Sequence, residues 1–213
     1  MALSSGHNSP EYQAFIKAVK DGRTANIEDY LAAYPEFLDL TDRHGKKPLH
    51  RATTKGRGSV VKLLLQHGST SLASLDNEGW TPLHYSALHG HNSIVELLLR
   101  CGSTSLDSHT NKGWTPLHLA VSGGHHSMVE LLLQHGSNFF DSPTYVGRAP
   151  LFYATRGRYY SAMKILKAVG ATLSLKGLNY EQIEKLQAPI PESEVLEIRF
   201  RIYFRRSLLS QLR

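Results

Sequence analysis

Twelve histidines lie in this chain of 213 residues, and two groups of them, His84, His89 and His91 and then His118, His125 and His126, have the density that a metal site uses. A zinc centre needs three or four such ligands converging on one tetrahedral point, with further groups orienting each ring. The two groups copy each other, however, because His84 and His118 are 34 residues apart and so are His91 and His125. A repeated structural unit accounts for that spacing, so no metal ligands and no cofactor are expected. Cys101 is the only cysteine, and a nucleophile there would need a base within reach and a pocket that excludes water. No histidine is paired with it at a telling spacing. No Gly-rich phosphate loop, no HExxH and no nucleophile elbow occurs. The pattern predicts a protein that is not an enzyme, with no catalytic residue.

The elements that carry these histidines follow the same period. Gly45, Gly79, Gly113 and Gly147 are spaced by 34 residues, as are Pro48, Pro82, Pro116 and Pro150, and again Gly68, Gly102, Gly136 and Gly170. A fixed period of this length means stacked copies of one unit, not a single globular core. Pro suits the first position of a helix, where its missing N–H has no partner to lose, and Thr81 and Thr115 are placed to cap the same helices. Each short helix is expected to end near Gly56, Gly90 and Gly124. A second helix then runs through SVVKLLLQ, SIVELLLR and SMVELLLQ to the next Gly. In the fourth unit Arg158 stands where Gly124 stands one period earlier, and the pattern assigns the turn to Gly157 instead. The leucines 63–65, 97–99 and 131–133, with Val61, Val95 and Val129, give the second helices their apolar stripe.

A 34-residue period alone would suit tetratricopeptide repeats, but GWTPLH at 79–84 and 113–118, then Ala, Gly-His and VELLLxxG, resembles the ankyrin repeat family. The resemblance implies an all-α fold: a solenoid of stacked helix-turn-helix units joined by short β-hairpin-like loops, here followed by a C-terminal helical extension. It implies a flexible N-terminus at 1–9 and a repeat domain at 10–177. Within that domain a degenerate capping repeat at 10–44 precedes repeats at 45–78, 79–112, 113–146 and 147–177. One extra residue relative to the usual period falls after the second helix, within GSTSL, GSTSL and GSNFF. The resemblance also makes His50, His84 and His118 structural, bonded within the TPLH turn.

What then remains for function is surface recognition, which the resemblance places on a concave face of loop fingers and first helices. By motif the candidate partner-binding residues are Arg43 and Lys46; Asn77, Glu78, Trp80, Leu88 and His89; Asn111, Lys112, Trp114 and Ser122; and Tyr145, Arg148 and Arg156. Lys46, Trp80, Trp114 and Arg148 all follow the loop Gly. Trp and Arg are enriched among binding hot spots, yet a Trp at that place also covers the adjoining finger, and both readings stand. The expected partner is another protein with an acidic and apolar surface, steered by Lys46, Lys112, Arg148 and Arg156, and the free chain is expected to be a monomer.

Charge placement supplies the competing reading. Residues 1–146 hold 12 Lys or Arg against 13 Asp or Glu, whereas 147–180 hold Arg148, Arg156, Arg158, Lys164, Lys167 and Lys176 with no acid. Such a segment suits nucleic acid or an anionic membrane surface, by counterion release. In the extension, 178–213, LNYEQIEKL reads as a short helix, APIP as a break, and ESEVLEIRFRIYFRRSLLSQLR as a longer helix. Val195, Ile198, Ile202, Leu209 and Leu212 follow a three-four spacing there, while EIRFRIYF also alternates as a strand does. The helix is either a lid over the last repeat or a docking element for a second partner. It lacks the Leu-Cys-Arg pattern and late Leu-Pro motif of the ubiquitin-ligase boxes that follow ankyrin repeats in some adaptors, which leaves ligase recruitment through this extension as the remaining alternative. One cysteine and the lack of a signal-peptide pattern or a long apolar run favour the cytoplasm, with the nucleus as the alternative.

Overall fold

Ser9 accepts a hydrogen bond from the Tyr12 N–H at 3.1 Å and so caps the first helix, α1, Pro10–Asp21. That places Ser9, assigned by sequence to the flexible leader, in buried structure. The computed structural model describes residues 8–69, 71–103, 105–172, 184 and 187–211. Among these are eleven α-helices and no strand. The chain divides into two units, Met1–Ser105 and Leu106–Arg213.

In the first unit α1 is followed by α2, Thr24–Ala33, and a 3-10 turn at Pro35–Leu38. Helix pairs α3 (Pro48–Thr54) with α4 (Gly58–Gln66), and α5 (Pro82–Leu88) with α6 (Asn92–Arg100), come next. α3 packs on α1 and α5, and α4 packs on α2 and α6, which gives a layer of first helices and a layer of second helices. At the chain's start the core is aromatic: the Phe37 ring meets Tyr12 edge-on at 5.2 Å and Phe15 at 5.5 Å. Further along it becomes aliphatic, with Leu49, Val60, Leu64, Leu83, Ile94 and Leu98 fully buried. Such a unit stands only by stacking, since no single pair encloses its own apolar face.

The second unit holds the pairs α7 (Pro116–Ser122) with α8 (His126–Gln134) and α9 (Pro150–Arg156) with α10 (Tyr160–Ala168), then α11, Glu192–Gln211. EIRFRIYF is therefore helical despite its alternation. α11 lies on α8 and α10 and buries Ile198 and Ile202 against them. Val195 and Leu209 on the same side are part-buried. Glu130 pairs with the Arg201 Nε at 3.0 Å, Lys164 with Glu194 at 2.9 Å, and Arg199 Nε donates to the Ala168 carbonyl at the end of α10. The expected helix over LNYEQIEKL and the position of Leu212 lie mostly or wholly outside the described residues.

The turn inside the fourth pair differs from the sequence expectation. Gly157 has φ −80°, and Arg158 takes the left-handed conformation at φ 58°, the only non-glycine among the described residues with positive φ. The repeat keeps its register: the residue before the left-handed one has φ −90° at Lys55, −98° at His89 and −79° at Gly123, as Gly157 has −80°, and Arg158 takes the place and conformation of Gly56, Gly90 and Gly124. Gly157 instead gives room to the Tyr159 ring, whose Cε2 a Cβ there would meet at 2.2 Å. At the place equivalent to Arg158 in the first pair Gly56 is left-handed, and the His91 ring packs over it. The inserted residue falls where a 3-10 turn follows α4 and α6, at Ser71–Ala73 and Ser105–Asp107.

Candidate partner-binding surface

Three finger loops are each braced by one side chain at the base. Asp42 Oδ1 accepts the N–H groups of His44 at 2.8 Å and Lys46 at 3.0 Å, while Oδ2 pairs with Arg51. Asp76 Oδ1 accepts from the N–H of Glu78 and of Trp80, both at 2.9 Å, and its Oδ2 takes the Tyr85 hydroxyl at 2.5 Å. Burial works to raise the Asp42 pKa, but the hydrogen bonds from Arg51, Lys46 and His44 outweigh it and hold the carboxyl below its ordinary value. In the second unit Thr110 does the same work with a hydroxyl, accepting from Trp114 N–H at 3.1 Å and Lys112 N–H at 3.4 Å. Thr144, next in the series, is buried with its Oγ1 unpartnered. Across each tip a backbone bond closes a hairpin-like turn, as from Asp42 N–H to Lys46 O at 3.1 Å.

Successive fingers are tied together within each unit. Asn77 N–H donates to His44 O at 3.0 Å and its Nδ2 donates to Arg43 O at 3.1 Å. In the second unit Tyr145 N–H donates to Lys112 O at 3.2 Å. The TPLH histidines add a second tie. His50 Nδ1 accepts from Lys47 N–H at 3.1 Å, which leaves Nε2–H to donate to Ser74 O and Trp80 O, at 3.0 and 3.1 Å. His118 Nδ1 accepts from Thr115 N–H at 3.3 Å, and its Nε2–H donates to Arg148 O at 3.3 Å. Burial pushes the pKa of both rings down, that of His118 to about 4. These histidines are neutral fasteners of the next finger. Among the described residues no group of three or more His, Cys, Asp or Glu side chains is gathered as a metal would need.

The fingers hold their tips in water. Arg43, Asn77, Glu78, Asn111, Lys112, Tyr145 and Arg148 are exposed, as are His89 and Arg156 at the ends of their first helices. Tyr145 is 74% exposed and Val146 69%. Lys46, Leu88 and Ser122 are part-buried, and so are both tryptophans. Trp80 packs on Tyr85 at 4.9 Å, and the Lys46 ammonium lies 4.7 Å from the centre of the same Tyr85 ring. Trp114 packs on Tyr153 at 4.5 Å, and the Arg148 guanidinium lies 4.7 Å from the centre of the Phe152 ring. The row that follows the loop glycines is thus engaged in ring contacts: Lys46 and Trp114 reach the next helix pair, and Trp80 and Arg148 pack on the first helix of their own pair.

In the first unit the fingers and α1 enclose a polar groove of about 700 Å³, lined among others by Tyr12, Lys20, Arg43, Arg51, Asp76 and Glu78. Sequence reasoning missed Tyr12, Lys20 and Arg51, which belong to helix faces the repeat pattern treats as packing. Burial, and after it the charges of Arg51 and Lys55, lower the Lys20 pKa. Sequence reasoning also missed an outward apolar face of α11, written in the chain as Leu196, Phe200, Phe204 and Leu208 at steps of four. No helix among the described residues is long and apolar enough to cross a membrane.

The family model of ankyrin repeats (3 copies) matches residues 15–107 and 102–176, most of the chain. No curated protein matches it.

Proposed function

The chain belongs to the ankyrin repeat family, whose repeats generally bind other proteins, and on that premise we propose that it is a non-catalytic adaptor gripping a partner protein by its finger tips and first-helix ends. The observation that supports this most is the contrast along the first three fingers. The base of each is fixed by Asp42, Asp76 or Thr110 and by the TPLH histidines, while its tip carries exposed, chemically varied side chains. Preorganised backbone with exposed tips lowers the ordering cost of binding. Arg43, Lys112, Arg148 and Arg156 select acidic groups, and Tyr145 with Val146 offers an apolar anchor. Trp80 and Trp114 act chiefly by holding this surface in shape.

The basic-segment reading loses weight because Lys164 is paired with Glu194 and Lys167 Nζ donates to Ala188 O at 2.8 Å. Two of the charges counted toward nucleic acid or lipid are turned to the protein's own extension.

The test is affinity purification with the intact chain and with the triple variant Arg43→Glu, Lys112→Glu, Tyr145→Ala. Proteins bound by the intact chain should be lost from the variant at unchanged melting temperature. Recovery of the same proteins in the same amount would move the interface elsewhere.

A further inference from the structure

The face of α11 turned away from α8 and α10 is apolar. Leu196 is 58% exposed, Phe200 64%, Tyr203 44%, Phe204 53% and Leu208 46%. At about 100° per residue Phe200 stands opposite buried Ile198 and Ile202, Leu196 and Phe204 lie to either side of it, and Tyr203 and Leu208 lie toward the flanks, so one helix carries apolar surface on both sides. The inner face is used, and the outer one is exposed among the described residues. Phe200 and Phe204 stack on each other at 4.9 Å, an i,i+4 pairing that leaves their outer faces open.

We infer that this face binds the same face of a second copy of the chain, in an antiparallel crossing about a two-fold axis near Ile202. Order is the first argument: Leu196, Phe200, Phe204 and Leu208 read the same in both directions at steps of four. A two-fold axis midway sets each Leu196 against the partner copy's Leu208 and each Phe200 against its Phe204. An isologous contact demands that kind of self-complementarity. Such a row is an i±4 ridge, and two i±4 ridges interdigitate at a crossing of about −50°. The contact is therefore short and centred on the phenylalanines.

Charge is the second argument. Glu192, Glu194 and Glu197 occupy the first half of α11, and Arg199, Arg201, Arg205 and Arg206 the second. Glu194, Arg199, Arg201 and Arg206 are also engaged within the chain, with Lys164, the Ala168 carbonyl, Glu130 and Asn138. The polarity of the whole helix that remains sets acidic half against basic half in an antiparallel crossing and like against like in a parallel one, so it favours the antiparallel direction while the apolar order selects the partner. This dimer through the extension departs from the monomer expected from sequence. The fingers of each copy are not part of this contact, so the inference stands apart from the partner-binding reading.

Sedimentation equilibrium of the full chain tests it. The wild-type chain should show a concentration-dependent dimer, and Phe200→Asp with Phe204→Asp should weaken self-association by at least about tenfold, the scale of losing hot-spot side chains. Both positions are exposed, so the variant's melting temperature below the association midpoint should match the wild type. In a Cys101→Ser background, Leu196→Cys and Leu208→Cys chains should form the mixed disulfide in preference to either homodimer. A chain that stays monomeric, a dimer indifferent to the phenylalanines, or a monomer that instead binds anionic vesicles through them would overturn the inference. Equal cross-linking of all three pairings would overturn the antiparallel register.

Discussion

The ring of Trp114 lies 4.5 Å, centroid to centroid, from that of Tyr153 on the next helix pair. One of the two residues that sequence chemistry marks as a binding hot spot is thus a joint between neighbouring repeats. Trp114→Ala should destabilise the chain by roughly 2–4 kcal/mol, toward the low side of a fully buried Trp truncation, whether or not a partner is present. Urea unfolding of the purified chain measures this, and a variant as stable as wild type would return Trp114 to the list of free contacts.

Thr110 and Thr144 occupy equivalent places at the base of adjoining fingers with different outcomes. Thr110 Oγ1 accepts two backbone N–H groups, and Thr144 Oγ1 accepts none. Replacing the hydroxyl by a methyl should therefore cost about 1–2 kcal/mol in Thr110→Val and nothing, or a slight gain, in Thr144→Val. Paired denaturant melts decide it, and equal costs would show that the finger is not braced by this bond.

Arg158 at φ 58° carries a strain that glycine lacks. Arg158→Gly should stabilise the fourth pair by about 1 kcal/mol, a gain that survives only if the position needs the left-handed conformation. A loss of stability in the urea midpoint would contradict the turn described.

Acid should loosen the stack before it protonates the carboxylates at large. The folded-state pKa of His118 is lowered from 6.5 to about 4. Between those values the unfolded chain binds a proton that the folded chain rejects. Stability is complete above about pH 6.5, falls as pH drops, and levels off below about 4, a loss near 3 kcal/mol from this ring alone. His50, with its pKa moved the same way by burial, adds to the fall. Urea melts at steps between pH 7 and 4 should show the slope, reduced in His118→Gln, and an unchanged slope in that variant would detach it from the histidine.

Leu98 is fully buried, and Leu98→Ala should cost ~2–5 kcal/mol. An unmoved midpoint would put the helix register in error.

The repeat's grammar was legible because its residues act locally. Pro48, Pro82, Pro116 and Pro150 start helices through their own missing N–H, Thr81 and Thr115 cap them, and Gly56, Gly90 and Gly124 turn left-handed through their own lack of Cβ. Legibility failed where residue type and repeat position disagree, or where a second residue intervenes. The repeat's register kept the left-handed turn at Arg158 although the neighbouring Gly157 suits it better by type, and the half-burial of Trp80 and Trp114 depends on the rings of Tyr85 and Tyr153, which the repeat motif does not supply. On α11 the helix and its inner stripe were legible, but its outer apolar side was not, because Leu196, Phe200, Phe204 and Leu208 form a second stripe beside the one that marks the core.

The central claim is that the finger tips hold a partner protein. Its most direct measurement is the calorimetric affinity of a recovered partner for three chains: wild type, Arg43→Glu with Lys112→Glu and Tyr145→Ala, and a second-helix control, Lys62→Glu with Arg100→Glu. The finger variant should bind at least about a hundredfold more weakly, as expected when an aromatic anchor and two charges are lost together, and the control should match wild type. Full affinity in the finger variant, or an equal loss in the control, would contradict the account.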